Sequence, residues 1–334
     1  MIELLISLAI LGVMLSGVYS AFVTQTQNST REFKVAQSEL EIGIGKNIIE
    51  RDLAMAGYGL AEDYSAAIPP VPVPSVAAAT NANPDTLTLT GTALGIESRE
   101  AQGWTFISTV TAGPPPVPAF ATWTDSREDV VVNDSVIIME PGTKKLLTEG
   151  GVWKFLYNGP NVNLAPGLTD PKTGTLAYGV DDNAALPYAT VAYSLSNANL
   201  PTNCEANTMS LVRAETWTAV AGAPNPLLTC VLDFQVAFGL DTVDDESRQI
   251  DLWDNGGVIA QGYDAATLRK RIKQIRTYLL VQVSNRDANY TFPVNTVRVG
   301  ESLLATGRDV PLSAEQRKYK WKVINLTMTP RNIR

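Results

Sequence analysis

The sequence predicts an α+β fold, in which a long N-terminal α-helix packs on an antiparallel β-sheet head, and three observations predict it. An apolar segment opens the chain, a helical pattern continues to about residue 60, and short strand patterns separated by turn residues fill the rest. Of the 334 residues, 45% are hydrophobic and 18% charged, which suits a packed head. We assign residues 1–60 to the helix, 61–75 to a Pro-rich connector and 76–334 to a β-rich head.

The opening segment, residues 1–23, carries Glu3 as its only charge. It is long enough to cross a bilayer core, which takes about 20 residues of helix. A secretory signal peptide would begin with a basic stretch and end at a small-residue cleavage site, and neither pattern is present. A carboxylate near the start of a membrane helix usually has a partner or a function. Glu3 is therefore a candidate functional residue, the alternative being an interfacial carboxylate at the membrane surface.

Beyond residue 23 the apolar residues thin to one face of the helix. This face consists of Phe33, Ala36, Leu40, Ile44, Ile48 and Met55. Their spacing of three, four or seven is typical of an amphipathic helix, so we expect this face to pack on the head. The helix should end near Gly57 or Gly59, because glycine readily takes the left-handed conformation that terminates helices.

The remainder of the chain predicts an extended connector and then strands. Residues 68–74 read IPPVPVP, which is incompatible with a helix and typical of extended chain. Residues 264–272 predict a short helix with Asp264 as its N-cap. The strand candidates are residues 86–90, 104–110, 130–139, 176–178, 190–195, 210–214, 232–238, 274–283 and 320–328.

Composition argues against several classes of function. The net charge is −8 and no basic stripe offsets it, so we expect no nucleic-acid partner. The chain has no histidine, which excludes Ser-His-Asp and Cys-His catalytic sites, and it has no phosphate-binding loop. A pair of carboxylates could still catalyse glycoside hydrolysis, but no motif indicates an enzyme.

The two cysteines, Cys204 and Cys230, do not form a Cys-x-x-Cys motif, and without histidine they have no partners for a zinc site. If the head is exported, as the first segment indicates, its compartment is oxidising. We therefore predict a disulfide between them; the alternative is a pair of unpaired buried thiols.

An acidic run, DTVDDESRQID at residues 241–251, has the carboxylate density of a calcium-binding loop. The candidate ligands are Asp241, Asp244, Asp245 and Asp251. The run lacks the glycine that a tight calcium loop uses for its sharp turn, so an exposed acidic hairpin is the favoured alternative. Calcium is the one cofactor that the sequence suggests.

A basic cluster follows the acidic run and consists of Arg269, Lys270, Arg271, Lys273 and Arg276. It could bind an anionic partner, or pair with the acidic run upstream. The favoured alternative is a solvated helix face.

Several motifs resemble a known family. Residues 2–12, IELLISLAILG, resemble the conserved start of type IV pilins and pseudopilins. Residues 51–59, 230–238, 268–282 and 319–324 resemble the PilW group of minor pilins. Glu3 corresponds to the family glutamate by its neighbours, although the family pattern opens with two further residues after a processing glycine.

The resemblance implies a pilin-like fold and a structural function. Such a subunit is inserted in the inner membrane with its head in the periplasm, trimmed and N-methylated by a prepilin peptidase, and then assembled into a surface pilus. Glu3 would be neutralised by the N-terminal amine of a neighbour. The implied partners are other pilins and minor pilins and a tip adhesin-like protein. A type II secretion pseudopilin is the alternative, and an anchored exported enzyme or binding module is a third.

Overall fold

The structure is a computed structural model that describes residues 2–65, 67–68, 70–80, 83–94, 101, 103–159, 164–198, 200–216, 222–243, 249–255 and 262–332. Helix α1 spans Ile2–Met55, and a short helix, α2, spans Ala265–Arg271. The strands are β1 (Ala77–Thr80), β2 (Thr86–Gly91), β3 (Trp104–Thr111), β4 (Val117–Phe120), β5 (Ser135–Met139), β6 (Phe155–Leu156), β7 (Leu176–Val180), β8 (Ala189–Ser196), β9 (Met209–Thr216), β10 (Asn225–Leu240), β11 (Leu252–Asp254), β12 (Ile272–Gln282), β13 (Thr296–Val299), β14 (Arg308–Pro311) and β15 (Trp321–Met328). The fold is α+β, as predicted.

The strands form a large sheet, a small sheet and a hairpin. The large sheet has the order β1-β2-β8-β9-β10-β12-β15, with β11 also paired to β10. The small sheet has the order β4-β3-β7-β5-β6, and β13 pairs with β14. Neighbouring strands run antiparallel in each of them. The predicted strands all lie in these sheets, except that residues 130–134 form a turn region before β5.

Both faces of the large sheet are covered. The C-terminal half of α1 packs on one face, where Ile49 and Leu53 join a core with Leu89 and Phe234. The β13–β14 hairpin packs on the opposite face through a second apolar cluster, which includes Val310 and Trp321. The central strands are therefore buried on both sides, as their nearly continuous apolar sequences require.

The Pro-rich connector packs against the small sheet. Its described residues form no helix or regular strand, and Ala61, Tyr64 and Val71 are buried in a cluster with Ile137 and Met139 of β5. The connector therefore covers one face of the small sheet and joins the two sheets into one head.

Helix α1 packs mainly through a different face from the one predicted, although Met55 of the predicted face packs against the main core and Ile48 is partly buried. Phe33, Leu40 and Ile44 are 68, 64 and 53% exposed, and Ala36 is exposed as well. The buried face lies about half a turn away and consists of Ile42, Ile49 and Leu53. Gly45 lies on this face too, where a side-chain carbon would stand 3.6 Å from the Leu227 carbonyl oxygen. The helix has two apolar faces, and the second one packs on the sheet.

The helix ends where predicted. Its last residue is Met55, and Gly57 has a φ of +83°. The Gly57 backbone N–H donates to the carbonyl of Thr90 at 2.8 Å, which ties the helix end to β2. A side-chain carbon at Gly57 would lie 2.6 Å from Cγ2 of Val76, so both the conformation and the space require glycine here.

Candidate assembly surface and its anchor

The N-terminal half of α1 projects from the head with its apolar side chains exposed. Among the described residues, α1 is the one helix long and apolar enough to cross a membrane, and none of its most apolar window is buried in the protein. The exposed large side chains include Ile2, Ile6, Leu8, Ile10, Leu11, Val13, Met14, Leu15, Val18, Tyr19 and Phe22. So much contiguous apolar surface indicates contact with a membrane or with other chains.

Glu3 lies in the first turn of α1 and is exposed. Its carboxylate has no ion-pair partner among the described residues, and Ser7 donates to its backbone carbonyl at 2.8 Å. The structure does not bring Glu3 near the other residues predicted from sequence, which lie in the head. Its role in assembly stays a prediction.

One line of apolar side chains follows α1 from its exposed half onto the head, and we call it the outer stripe. It consists of Leu8, Leu11, Leu15, Phe22, Phe33, Leu40 and Ile44, all of them exposed. At about 100° per residue, these positions fall within about 40° of a common direction, on the side of α1 opposite the sheet. The stripe is about 54 Å long at 1.5 Å per residue. A second helix could lie along it.

A polar stretch, TQTQNST at residues 24–30, interrupts the apolar sequence without breaking α1. The hydroxyls of its three threonines donate to backbone carbonyls one turn earlier in the helix: Thr24 to Ser20, Thr26 to Phe22 and Thr30 to Thr26, each at 2.9 Å. These hydroxyls therefore form their hydrogen bonds within the helix, and α1 is continuous through the polar stretch.

A buried ionic network anchors α1 to the large sheet. Arg213 of β9 donates to Asp52 of α1 at 2.6 Å, and the Tyr193 hydroxyl of β8 donates to the same carboxylate oxygen at 2.5 Å. Arg213 also donates to the Leu94 carbonyl at 2.5 Å and to Glu215. Asp52, Tyr193 and Arg213 are all buried, so the network fixes the helix in one position on the sheet.

Its partners hold Arg213 in the charged form, whereas burial raises the pKa of Asp52 although Arg213 opposes the change. Burial disfavours the guanidinium of Arg213, but its hydrogen bonds to Asp52 and Glu215 outweigh burial and raise its pKa. Burial also raises the pKa of Tyr193, and the neighbouring Asp52 carboxylate adds to the increase. Arg213 therefore stays charged and Tyr193 stays a hydrogen-bond donor at physiological pH.

Sequence reasoning missed this anchor, although a signal was present. Asp52 lies one turn after Ile49 and next to Leu53, on the face that is buried. A carboxylate inside an apolar face indicates a buried cationic partner. In the head, Arg213 lies in the middle of a strand and has apolar neighbours in sequence. It is therefore the cation that this pattern would have suggested as the partner of Asp52.

The predicted disulfide is confirmed. Cys204 and Cys230 are bonded, with their Cα atoms 5.0 Å apart and 26 residues apart in sequence. Cys230 lies at an irregularity in the pairing of β10 with β9 and has a φ of +56°. The segment before β9 is also tied to β12, because the backbone N–H of Glu205 donates to the side chain of Gln282 at 2.8 Å.

The acidic run is only partly described, since Asp244 and Asp245 lie outside the described residues. The Asp251 carboxylate accepts from the Thr242 hydroxyl at 2.7 Å and from its backbone N–H, and these hydrogen bonds lower the pKa of Asp251. Asp241 lies 3.7 Å from the Lys273 ammonium. No group of three potential metal ligands occurs among the described residues. Calcium binding by this run stays a prediction.

The basic cluster is not a single solvated helix face. Arg269 donates to the Ala61 carbonyl at 2.6 Å, and Arg271 donates to the Thr242 carbonyl at 2.9 Å. Arg276 of β12 pairs with Glu301 at 2.5 Å. Together with the Lys273–Asp241 pair, these contacts direct much of the cluster to partners within the chain, including the start of the acidic run.

Comparison with known proteins gives little. No protein-family model matches the sequence, and no curated protein shows significant similarity to it. Among solved structures, a type IV-like pilin from Thermus thermophilus is similar at 12% sequence identity and a TM-score of 0.36, over 88% of this chain and 95% of that protein. At such a TM-score the likeness carries no weight, and the function rests on the residues described above.

Proposed function

We propose that the chain is a membrane-anchored structural subunit of the type IV pilin superfamily, a minor pilin that joins other pilins through α1. The observation that carries the proposal is the exposed apolar half of α1, which continues as one rigid helix into a head that holds its other half. The resemblance of residues 2–12 to the pilin start supports the same function. The subunit acts by packing, without catalysis.

The dimensions of α1 suit both a membrane and a filament. Its 54 residues give a rod of about 81 Å, of which the first 23 residues, about 35 Å, are enough to cross a hydrocarbon core of about 30 Å. Outside lipid the same surface has to be covered by other apolar helices. The outer stripe provides the face for such a helix, because it continues past the membrane segment to Ile44.

Glu3 sets the register of assembly in this proposal. An unpaired carboxylate in apolar surroundings is costly, whereas one that meets a cation fixes the position of the two chains. The cation is the N-terminal amine of an adjacent pilin. A prepilin peptidase produces that amine and methylates it.

The proposed location is the inner membrane, with the head in the periplasm, followed by a pilus on the cell surface. The disulfide supports this location because structural disulfides persist in oxidising compartments. The partners are other minor pilins, with an adhesin-like protein at the pilus tip.

The first test is Glu3→Ala in the native host. We expect normal membrane insertion but loss of the subunit from sheared filaments, measured by immunogold electron microscopy with an antibody against residues 60–334. Glu32→Ala, at an exposed position on the same helix outside the apolar segment, is the matched control and should assemble normally. Gold at filament ends supports a minor pilin at the tip. Normal assembly of Glu3→Ala would refute the role of this residue.

The second test addresses the outer stripe. Leu40→Ser combined with Ile44→Ser should reduce recovery in sheared filaments by about tenfold, because it removes apolar contact without touching the sheet. Leu303→Ser, which changes a fully exposed leucine on the head, is the control. Equal recovery of both variants would show that no helix packs along this part of the stripe.

A further inference from the structure

A cleft lies between the head end of α1 and the β3–β4 edge of the small sheet. Its volume is about 470 Å³. Aromatic rings of Tyr58 and Trp104 line it, together with the charged side chains of Arg51, Asp125, Arg127 and Glu128. None of these residues belongs to the outer stripe or to the buried anchor.

The aromatic rings form a supported platform. Trp104 of β3 contacts Trp123 with ring centroids 4.3 Å apart and ring planes tilted by 35°, and Trp123 donates its indole N–H to the Trp104 carbonyl at 2.6 Å. On the neighbouring strand, Tyr178 lies opposite Trp104 with its ring nearly parallel, and Tyr58 meets Tyr178 edge-on at 5.2 Å. All four rings are half-buried, so each contacts the protein and is also partly exposed to solvent. A ligand would meet a platform that needs no rearrangement.

The rim of the cleft is polar and balanced in charge. Arg127 makes a two-pronged ion pair with Asp125, at 3.0 and 2.6 Å, and Arg51 and Glu128 add one charge of each sign. The hydroxyl of Tyr58, which also lines the cleft, has no hydrogen-bond partner among the described residues. The rim therefore offers donors and acceptors side by side, with no net charge to attract an ion.

We propose that this cleft binds a neutral carbohydrate of one or two pyranose rings. The apolar C–H face of a sugar stacks on Trp104, and its hydroxyls, which both donate and accept, bind the charged side chains and the free hydroxyl of Tyr58. Volumes of about 300–1,000 Å³ are typical of small-ligand sites, so the cleft has the appropriate size.

This inference goes beyond the proposed function and does not depend on it. Arg51 lies about 72 Å along α1 from Glu3, at 1.5 Å per residue. The cleft therefore lies beyond the membrane segment and about two turns beyond Ile44, the last residue of the outer stripe. Loss of sugar binding and loss of assembly are separate results.

The experiment uses the full chain in a detergent without a sugar head group. Saturation-transfer difference NMR and tryptophan fluorescence are recorded with lactose, cellobiose and N,N′-diacetylchitobiose. Sialyllactose serves as the anionic comparator and choline as the cationic one. We expect at least one neutral disaccharide to bind, with no preference for either charged probe.

Variants assign the binding to the cleft. Trp104→Ala should weaken binding about tenfold, and Arg127→Ala about threefold or more. The matched control is Arg286→Ala, which removes an exposed arginine in another ion pair, with Glu315, and should bind as the unchanged protein does. If Trp104→Ala disturbs its ring neighbours, the exposed residue Arg127 still gives a test that does not affect folding.

Three results would overturn the proposal. The first is the absence of binding by any neutral disaccharide at about 10 mM, which corresponds to less than about 3 kcal/mol of affinity. The second is tighter binding of the anionic or the cationic probe. The third is full affinity in both Trp104→Ala and Arg127→Ala.

Discussion

The two halves of α1 are both apolar and both helical, yet their surroundings differ completely. In the C-terminal half, Ile49 and Leu53 are buried in the main core, and Asp52 is held by the sheet. In the N-terminal half, the described large apolar side chains from Ile2 to Phe22 are exposed. The sheet supplies the partner for one half, and the other half requires a partner outside the chain.

This difference separates stability from assembly. Changes in the C-terminal half should lower the free energy of unfolding of the head, because they remove contacts that the fold itself makes. Changes in the N-terminal half should leave that free energy unchanged and affect membrane insertion or filament formation. The predictions below test this separation, and each is measured on the full chain in detergent.

The largest effect is expected from Arg213→Ala. The substitution leaves the Asp52 carboxylate buried beside Tyr193 without its cation, which should cost about 3–5 kcal/mol of unfolding free energy. Urea unfolding followed by near-ultraviolet circular dichroism measures the loss. Leu11→Ser, in the exposed half of the same helix, should change the free energy of unfolding by less than about 0.5 kcal/mol.

A double variant sharpens this result. Arg213→Met with Asp52→Leu removes both charges and should recover part of the stability, because an apolar pair is often as stable as a buried ion pair, while the Tyr193 hydroxyl and the Leu94 carbonyl still lose their hydrogen bonds. If Arg213→Ala alone lowers the free energy of unfolding by less than about 1 kcal/mol, the network does not anchor α1. The two halves of α1 would then contribute more similarly to stability than we propose.

The second effect concerns the disulfide. Cys204→Ser with Cys230→Ser should lower the free energy of unfolding by about 3 kcal/mol, the value expected for a closed loop of this size. Addition of reductant to the unchanged protein should produce a similar loss in urea unfolding. The double variant should then be insensitive to reductant, and a further loss would point to a cause other than this bond.

The third effect is a pH dependence at Asp85. One carboxylate oxygen of Asp85 accepts from the Val236 backbone N–H at 2.8 Å, and the other is buried without a hydrogen-bond partner. Burial, with a smaller contribution from Asp233, raises the pKa of Asp85 from 3.8 to about 7, although Arg308 opposes the change.

The folded protein therefore keeps a proton on Asp85 that the unfolded chain has released. The free energy of unfolding should fall as pH rises between about 4 and 7 and be level above that range. Asp85→Asn should reduce this slope, to which the raised pKa of buried Asp52 also contributes, and stabilise the protein by about 1–3 kcal/mol at pH 8, measured by urea unfolding across pH. The exposed Asp170→Asn should retain the full slope; an equally steep slope in Asp85→Asn would assign it to other groups.

Local patterns predicted much of this fold. The ends of α1 and α2 follow from apolar periodicity, from Gly57 and from Asp264, whose side chain accepts from the Thr267 N–H at 2.7 Å as an N-cap. The central strands follow from apolar runs, and the disulfide from the presence of two cysteines in a head that we expected to be exported. Each of these depends on residues near in sequence or on composition.

The missed features depend on contacts between distant segments. The sheet-facing side of α1 is selected by Asp52, whose partner Arg213 is 161 residues away. The aromatic platform joins Tyr58, Trp104 and Tyr178, which come from three separate segments. Short strands such as β13 and β14 carry weak patterns and are stable only on the face of a larger sheet.

The smallest effect is expected at the boundary between the two halves of α1. Lys322 of β15 pairs with Glu39 at 2.7 Å, and both side chains are about half exposed. Solvent screens such a pair, so Lys322→Ala should cost at most about 0.5 kcal/mol in urea unfolding, and salt should abolish the difference. A loss above about 1 kcal/mol that persists in salt would mean that the anchored half of α1 begins at Glu39, before the first buried residue, Ile42.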